Sequence, residues 1–209
     1  MQDKIAMAKY WDKIGASEKV NWHIAHIDSD NEFFESGKKS LDQIFVNKLT
    51  SIQSGAMVLD IGCGRGRVAR ALATERPDIR VFGIDVAPSM IKSAIEANKD
   101  LYNLNFYVGD GTTLSTFPNE IFNNIYSFIV FQHLPRHITA QYICEAARVL
   151  KLGGKFIFQV QQKSEAMLVD PPWDDFRTIR YYTEQQVVAL IRSPLKLIKT
   201  WGGRAQLFC

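Results

Sequence analysis

The chain has 209 residues, 46% of them hydrophobic and 22% charged, with a formal net charge of +3. This composition excludes a disordered or fibrous chain, and the length suits one domain with decorations rather than two. The slight basic excess is spread along the chain instead of gathered in a tract, which permits an RNA partner without arguing for one, and no nucleic-acid partner is expected. Cys63, Cys144 and Cys209 form no even disulfide framework, so reduced thiols and a cytoplasmic location are expected. No stretch approaches the roughly 18 apolar residues of a membrane span, so no membrane partner is expected.

In chain order, residues 1–50 carry helical patterning and the aromatic residues Trp11, Trp22, Phe33 and Phe34, and are expected to form a helical cap or lid. Residues 51–209 then alternate short β-rich runs with helix-length segments. Runs are predicted at 57–61, 80–84 and 104–108, with helices over 66–77 and 88–98 between them. Residues 125–131, IYSFIVF, are almost wholly apolar, as a strand covered on both faces must be. A helix over 138–150, a turn at Gly153-Gly154 and a strand over 155–161 follow. Thr183 and Gln186 have capping-box spacing at the start of another helix. Two last strands, 195–201 and 205–209, are joined at Gly202-Gly203. Such alternation predicts an α/β chain, a doubly wound, mostly parallel sheet between two helical layers, with a ligand beyond the carboxyl ends of the strands.

The stretch VLDIGCGRGRV, residues 58–68, runs from the first strand through three alternate glycines into a helix. A turn without Cβ atoms lets backbone approach a ligand, in nicotinamide enzymes and elsewhere. The dinucleotide fingerprint needs its third glycine where Arg67 stands; here Gly66 comes one residue early. Asp60-x-Gly62-x-Gly64-x-Gly66 instead resembles the first motif of the class I S-adenosylmethionine-dependent methyltransferases. Asp85 closing VFGID, Asp110 closing FYVGD, and the runs FNNIYSFIVFQHLP and AARVLKLGGKFIF add to the resemblance, which covers about residues 55 to 209. Asn123, where many members have Asp, and Leu152, where proline is usual, depart from it.

The resemblance implies a Rossmann-like sheet of seven strands in the order 3-2-1-4-5-7-6, the last strand antiparallel. It implies S-adenosyl-L-methionine as cofactor, S-adenosyl-L-homocysteine as product and no metal. The cofactor would be held by Asp60, Gly62, Cys63, Gly64, Gly66, Asp85, Val86, Met90, Asp110, Gly111, Thr112 and Phe128. Asp85 would take the ribose hydroxyls, and Asp110 with the following N–H would take the adenine. His133 is the candidate general base, because it follows the fourth strand and its ordinary pKa lies near neutrality. Gln132, Tyr181, Tyr182 and Trp22 are candidate substrate contacts. A small-molecule acceptor fits an enclosed pocket under an aromatic cap. The alternatives are an RNA or protein methyltransferase, or an adenosyl-cofactor-binding protein without catalysis.

Three other patterns are read as bland. Asp170-Pro171-Pro172-Trp173 looks like the motif with which adenine-N6 methyltransferases grip a base, but it follows the fifth strand instead of the fourth, so a rigid loop is expected. The pairs His23/His26 and His133/His137 lack the further ligands of a metal site. Arg65, Arg67 and Arg70 are expected to form a solvated basic face.

Overall fold

The computed structural model describes residues 2–45, 52–162, 171–191, 193–201 and 204–208. Five strands, β1 (Met57–Ile61), β2 (Arg80–Asp85), β3 (Leu104–Val108), β4 (Phe122–Ser127) and β5 (Leu150–Gln159), pair in parallel. A two-residue parallel pair outside the main sheet, β6 (Gln161–Gln162) with β7 (Tyr181–Tyr182), was not foreseen. Two further strands, β8 (Lys196–Trp201) and β9 (Arg204–Phe208), complete the main sheet, with β9 antiparallel to both β5 and β8. Its order is β3-β2-β1-β4-β5-β9-β8, the seven-strand arrangement that the resemblance implies.

Successive strand residues feed opposite cores, which is why the strands read as continuous apolar runs. Leu59, Ile125, Phe156 and Phe158 point into one cluster, and Val58, Tyr126 and Ile157 into the other. Helices α4 (Arg67–Glu75), α5 (Pro88–Ala97) and α6 (Arg136–Val149) connect the strands, and α7 (Glu184–Leu190) follows β7. On α4, Val68, Ala69, Leu72 and Ala73 bury one face at helical spacing. The capping box at Thr183 and Gln186 is present at the start of α7.

Two boundaries differ from the sequence reading. β4 begins at Phe122 and stops at Ser127, whose hydroxyl donates to the Ile61 carbonyl at 3.0 Å. The apolar run continues to Phe131 because its second half lines a cleft and enters the core through a 3-10 turn, Phe131–His133, without staying in the sheet. Gly153-Gly154 lies within β5 rather than before it. The register jumps from Phe122↔Leu150 to Asn124↔Lys155, and Gly153 has φ of +80°, so the glycines form a bulge. Asn123, where the family often has Asp, receives the Met57 N–H on its Oδ1 at 2.9 Å and pins the start of β1.

The N-terminal segment is helical as expected, as α1 (Gln2–Gly15), α2 (Val20–Ala25) and α3 (Asp30–Phe45). α1 docks on α5, where Asp12 accepts the Ser89 N–H at 2.8 Å and caps a helix whose own N-cap residue, Ala87, has no side-chain acceptor. α3 lies so close to α4 that a Cβ at Gly37 would come within 2.2 Å of the Arg67 carbonyl oxygen. Backbone cannot yield as a side chain tip does. Gly37→Ala is therefore expected to cost about 1–3 kcal/mol in urea unfolding, despite alanine's better helix propensity. An equally stable variant would show that α3 docks elsewhere.

Candidate active site

A cleft of about 1080 Å³, its open mouth included, lies beyond the carboxyl ends of β1, β2 and β4. Its floor is the turn 62–66. Gly62 and Gly66, with φ of +74° and +80°, are packed: a Cβ would meet Val130 at 2.5 Å or Phe106 at 2.5 Å. At Gly64 a Cβ would meet only Ile24 Cδ1, at 3.8 Å, so the backbone there faces open space that a ligand can fill.

Two carboxylates stand beside this turn. Asp85 Oδ2 accepts the Gly64 N–H at 2.9 Å and Oδ1 accepts the Ala87 N–H at 2.9 Å, which fixes the carboxylate and leaves each oxygen a second lone pair. Burial raises its pKa, opposed by the N–H groups of Ala87, Gly64 and Val86. Asp60 is only 4% exposed, and its pKa is pushed up to about 7, by burial first and by Asp85, against the opposing influence of Tyr126 and Arg67. The Tyr126 hydroxyl faces Asp60 across the β1–β4 pairing without completing a hydrogen bond. A pair of acids at the bottom of a cleft favours a ligand carrying positive charge.

The arginines of the turn depart from expectation. Arg65 and Arg67 are 8% and 9% exposed, so they form no solvated face. Arg67 donates to the Ser36 carbonyl and hydroxyl, both at 3.1 Å, and to the Ser40 hydroxyl at 2.7 Å on α3. Arg65 pairs with Asp30 at 2.6 Å, and Asp30's pKa falls below the ordinary value through Arg65 first and Asn21 second. Buried guanidinium groups require partners, and α2 and α3 supply them. Only Arg70 behaves nearly as read, pairing with Asp100 at 2.9 Å on the surface.

Of the residues named from sequence, Asp60, Gly62, Cys63, Gly64, Asp85, Val86, Met90, Phe128 and His133 line the cleft. Cys63 turns its sulfur toward Gly83, and burial pushes its thiol pKa up. Asp110, Gly111 and Thr112 stand outside the lining. The Asp110 carboxylate accepts the N–H groups of Thr112 and Thr113 at 2.9 and 2.7 Å, and Lys4 of α1 lies 3.5 Å away. Burial raises the Asp110 pKa, but these N–H groups, the Thr112 hydroxyl and Lys4 outweigh it and leave the pKa lowered. Met7 of α1 packs on Gly111 and Val86, over the place where a flat ring was expected.

Three substrate candidates move away from the cleft. Tyr182 is fully buried with its hydroxyl 3.3 Å from Thr139, Tyr181 offers its carbonyl to Arg136 at 2.7 Å, and Trp22 packs edge-on against His23 and His26 at the surface. Gln132 is buried beneath His133, its amide nitrogen 3.1 Å from Nε2, and also lies outside the lining. His133 itself does not titrate near neutrality. Burial and then Arg180 push its pKa down to about 4, so it is a neutral imidazole at pH 7. Arg180, 2% exposed, donates to the carbonyls of His133, Pro172 and Asp175 and ties the 131–133 turn to the following loop. That loop contains Pro171-Pro172-Trp173, consistent with a structural role; Asp170 lies outside the described residues.

The sequence reading missed the cleft residues Met7, His23, Ile24, Ile129, Val130, Leu134 and Tyr142. Trp11 and Phe33 were legible as an aromatic stripe, whereas Tyr142 reads as one more apolar position of α6 until tertiary packing places it. Among the described residues, no three His, Cys, Asp or Glu side chains gather as metal ligands, and no helix is long and apolar enough to cross a membrane.

Residues 58–154 match a family described as "Methyltransferase domain". A demethylmenaquinone methyltransferase of Tropheryma whipplei is 31% identical over 110 residues, covering 53% of this chain and 44% of that protein. A 2-methyl-6-phytyl-1,4-hydroquinone methyltransferase of Synechocystis is 35% identical over 106 residues, covering 51% and 32%. The chain thus spans less than half the length of these relatives. Magnesium protoporphyrin IX methyltransferase of Synechocystis, solved with bound S-adenosylmethionine, superposes with a TM-score of 0.67 over 99% of this chain and 97% of that one, at 15% identity.

The shifted acids predict a pH signature. A carboxyl whose folded pKa is raised binds its proton more tightly when folded, so Asp60 lowers stability as pH rises from about 4 towards 7. His133, with its folded pKa depressed, works in the opposite sense between about 4 and 6.5. The difference between wild type and Asp60→Asn isolates the first effect. In melts of the free protein, the variant is expected to gain on wild type as pH rises from 5 to 8. Parallel curves would show that Asp60 is not held in a desolvated, acid-flanked position.

Proposed function

We propose that the chain is a class I S-adenosylmethionine-dependent methyltransferase, a reading supported by the family match over residues 58–154 and by the methyltransferase relatives. The protein transfers methyl to an oxygen, nitrogen or carbon nucleophile of a small molecule. The observation that carries this reading is the Asp85 carboxylate, clamped by the Gly64 and Ala87 N–H groups beside a backbone position with open space.

The residues present fit the cofactor. Gly62, Gly64 and Asp60 would hold its amino-acid end, and Asp85 its ribose, through lone pairs that the backbone leaves free. Val86, Met90 and Phe128 supply apolar wall, and Asp110, Gly111 and Thr112 lie at the next strand end beside Met7. When bound, S-adenosylmethionine supplies an electrophilic methyl on a sulfonium. The chain's own task is then to align the acceptor and exclude water. Trp11, Phe33, Leu134 and Ile24 enclose the acceptor side, and His133 offers a neutral imidazole there. An imidazole whose conjugate acid has a pKa of about 4 is a poor base for an ordinary hydroxyl, so His133 serves as an orienting contact.

An enclosed, apolar-walled cleft supports a small acceptor over an RNA or protein chain, and the named quinone-type relatives agree. Free thiols at Cys63 and Cys144 fit the proposed cytoplasmic setting.

S-adenosylhomocysteine is expected to raise the melting temperature of wild type while NAD leaves it unchanged, because only a ligand of the native state shifts it. Asp85→Ala is expected to weaken S-adenosylhomocysteine binding by about tenfold or more. A shift with NAD alone would overturn the reading. Label from methyl-labelled cofactor is expected in low-molecular-weight extract; label confined to RNA or protein would reassign the acceptor, and no label would mean binding without catalysis.

A further inference from the structure

We propose that Arg65 is a positioning residue that couples the N-terminal helices to the cofactor turn, so that closing the cap and binding the cofactor are one event. The proposal rests on the cofactor reading above and adds to it the route by which residues 20–45 become part of the site.

Arg65 sits between Gly64 and Gly66, both at positive φ, and its side chain leaves the turn to meet three separate elements. Its Nε donates to the Ser93 hydroxyl at 2.8 Å on α5. Its Nη1 donates to the side-chain Oδ1 of Asn21 on α2 and to Asp30 Oδ1 at 2.6 Å, Asp30 being the first residue of α3, and Nη2 reaches Asp30 Oδ2 at 3.4 Å. Asn21 Nδ2 closes the cluster by donating to the same Asp30 oxygen at 2.6 Å. The guanidinium lies 5.5 and 5.6 Å from the ring centres of Phe33 and Phe34.

This planar group therefore fastens a glycine-flanked turn to both cap helices at once. The flanking glycines add little stiffness to the turn backbone, so beside the hydrogen bonds of Gly64 to Asp85 and of Gly66 to Cys63 its shape depends also on where the Arg65 side chain is held. Phe33, one turn along α3 from Asp30, touches Arg65 and also lines the cleft with Ile24 and His23. A ligand filling the open space at Gly64 thus meets backbone on one side of the clamp and cap side chains on the other. If the cap swings away, Arg65 loses Asn21 and Asp30 together and keeps only the Ser93 hydroxyl of these partners, so its side chain no longer holds the turn from the cap side. Ligand and cap must favour the same state of the turn, and linkage makes the effect reciprocal.

The test combines S-adenosylhomocysteine titration calorimetry with amide hydrogen exchange on wild type, Asp30→Asn, Arg65→Lys and the double variant. Lysine keeps the charge and loses the forked geometry. In wild type the ligand is expected to slow exchange across residues 20–45, outside its direct contacts, by about fivefold or more. Asp30→Asn is expected to raise Kd by about fivefold and to reduce that protection by a similar factor, with β1 and β2 exchanging as in wild type. The double variant is expected to bind no more weakly than Arg65→Lys alone, because both changes break one clamp. Should Arg65→Lys fail to fold, Asn21→Ala replaces it in the same comparison. Wild-type binding with an unchanged Kd in Asp30→Asn, or additive losses in the double variant, would overturn the coupling and leave the cofactor reading intact. Wild type that does not bind S-adenosylhomocysteine would overturn both.

Discussion

The arrangement depends on one carboxylate holding a backbone turn. Asp85 closes β2 and reaches sideways to the Gly64 N–H, while Gly62 and Cys63 donate their N–H groups to the Ile84 carbonyl at 2.8 and 3.1 Å. The ends of β1 and β2 are thereby sewn together where a ligand must enter. Because Asp85 is held by backbone and Asp60 lies beside it, the bottom of the cleft is acidic before any ligand arrives, and its charge is only partly expressed while Asp60 stays desolvated. A cationic ligand would relieve that cost, which gives a physical reason for two carboxylates in one small space.

Arg65 and Arg67 border the cleft, and Arg67 partly offsets the burial of Asp60, but the hydrogen bonds of both guanidinium groups go to the helical layer. Arg67 is committed to α3 through Ser36 and Ser40, and Arg65 to Asn21, Asp30 and Ser93. The same short segment GRGR therefore does two things: Gly64 opens space toward the cleft, and the two arginines anchor α2 and α3. Gly37 completes the fit by letting α3 sit against the first turn of α4. The cleft wall formed by Ile24 and Phe33 follows from these contacts.

Much of this was legible in the sequence for identifiable reasons. The parallel sheet followed from strand-helix alternation, its order only from the motif resemblance, and the places of Asp60, Gly64 and Asp85 followed from motifs that close on strand ends. What failed depended on partners far along the chain. Arg65 and Arg67 read as solvated because local spacing cannot show that α2 and α3 fold back over them. His133 read as titrating near neutrality because its burial and its neighbour Arg180 are tertiary facts. Tyr181 and Tyr182 sit next to a loop near the site, yet the core takes Tyr182. The strand expected through Phe131 failed because a run bordering a cleft is as apolar as one inside a sheet.

The most direct measurement is a crystal structure of the protein with S-adenosylhomocysteine. The account predicts both ribose hydroxyls on the Asp85 carboxylate, its Gly64 and Ala87 hydrogen bonds retained, with the amino-acid tail lying along Gly62 and Gly64 beside Asp60. Density for the ligand away from these strand ends, or Asp85 turned from the sugar, would contradict it.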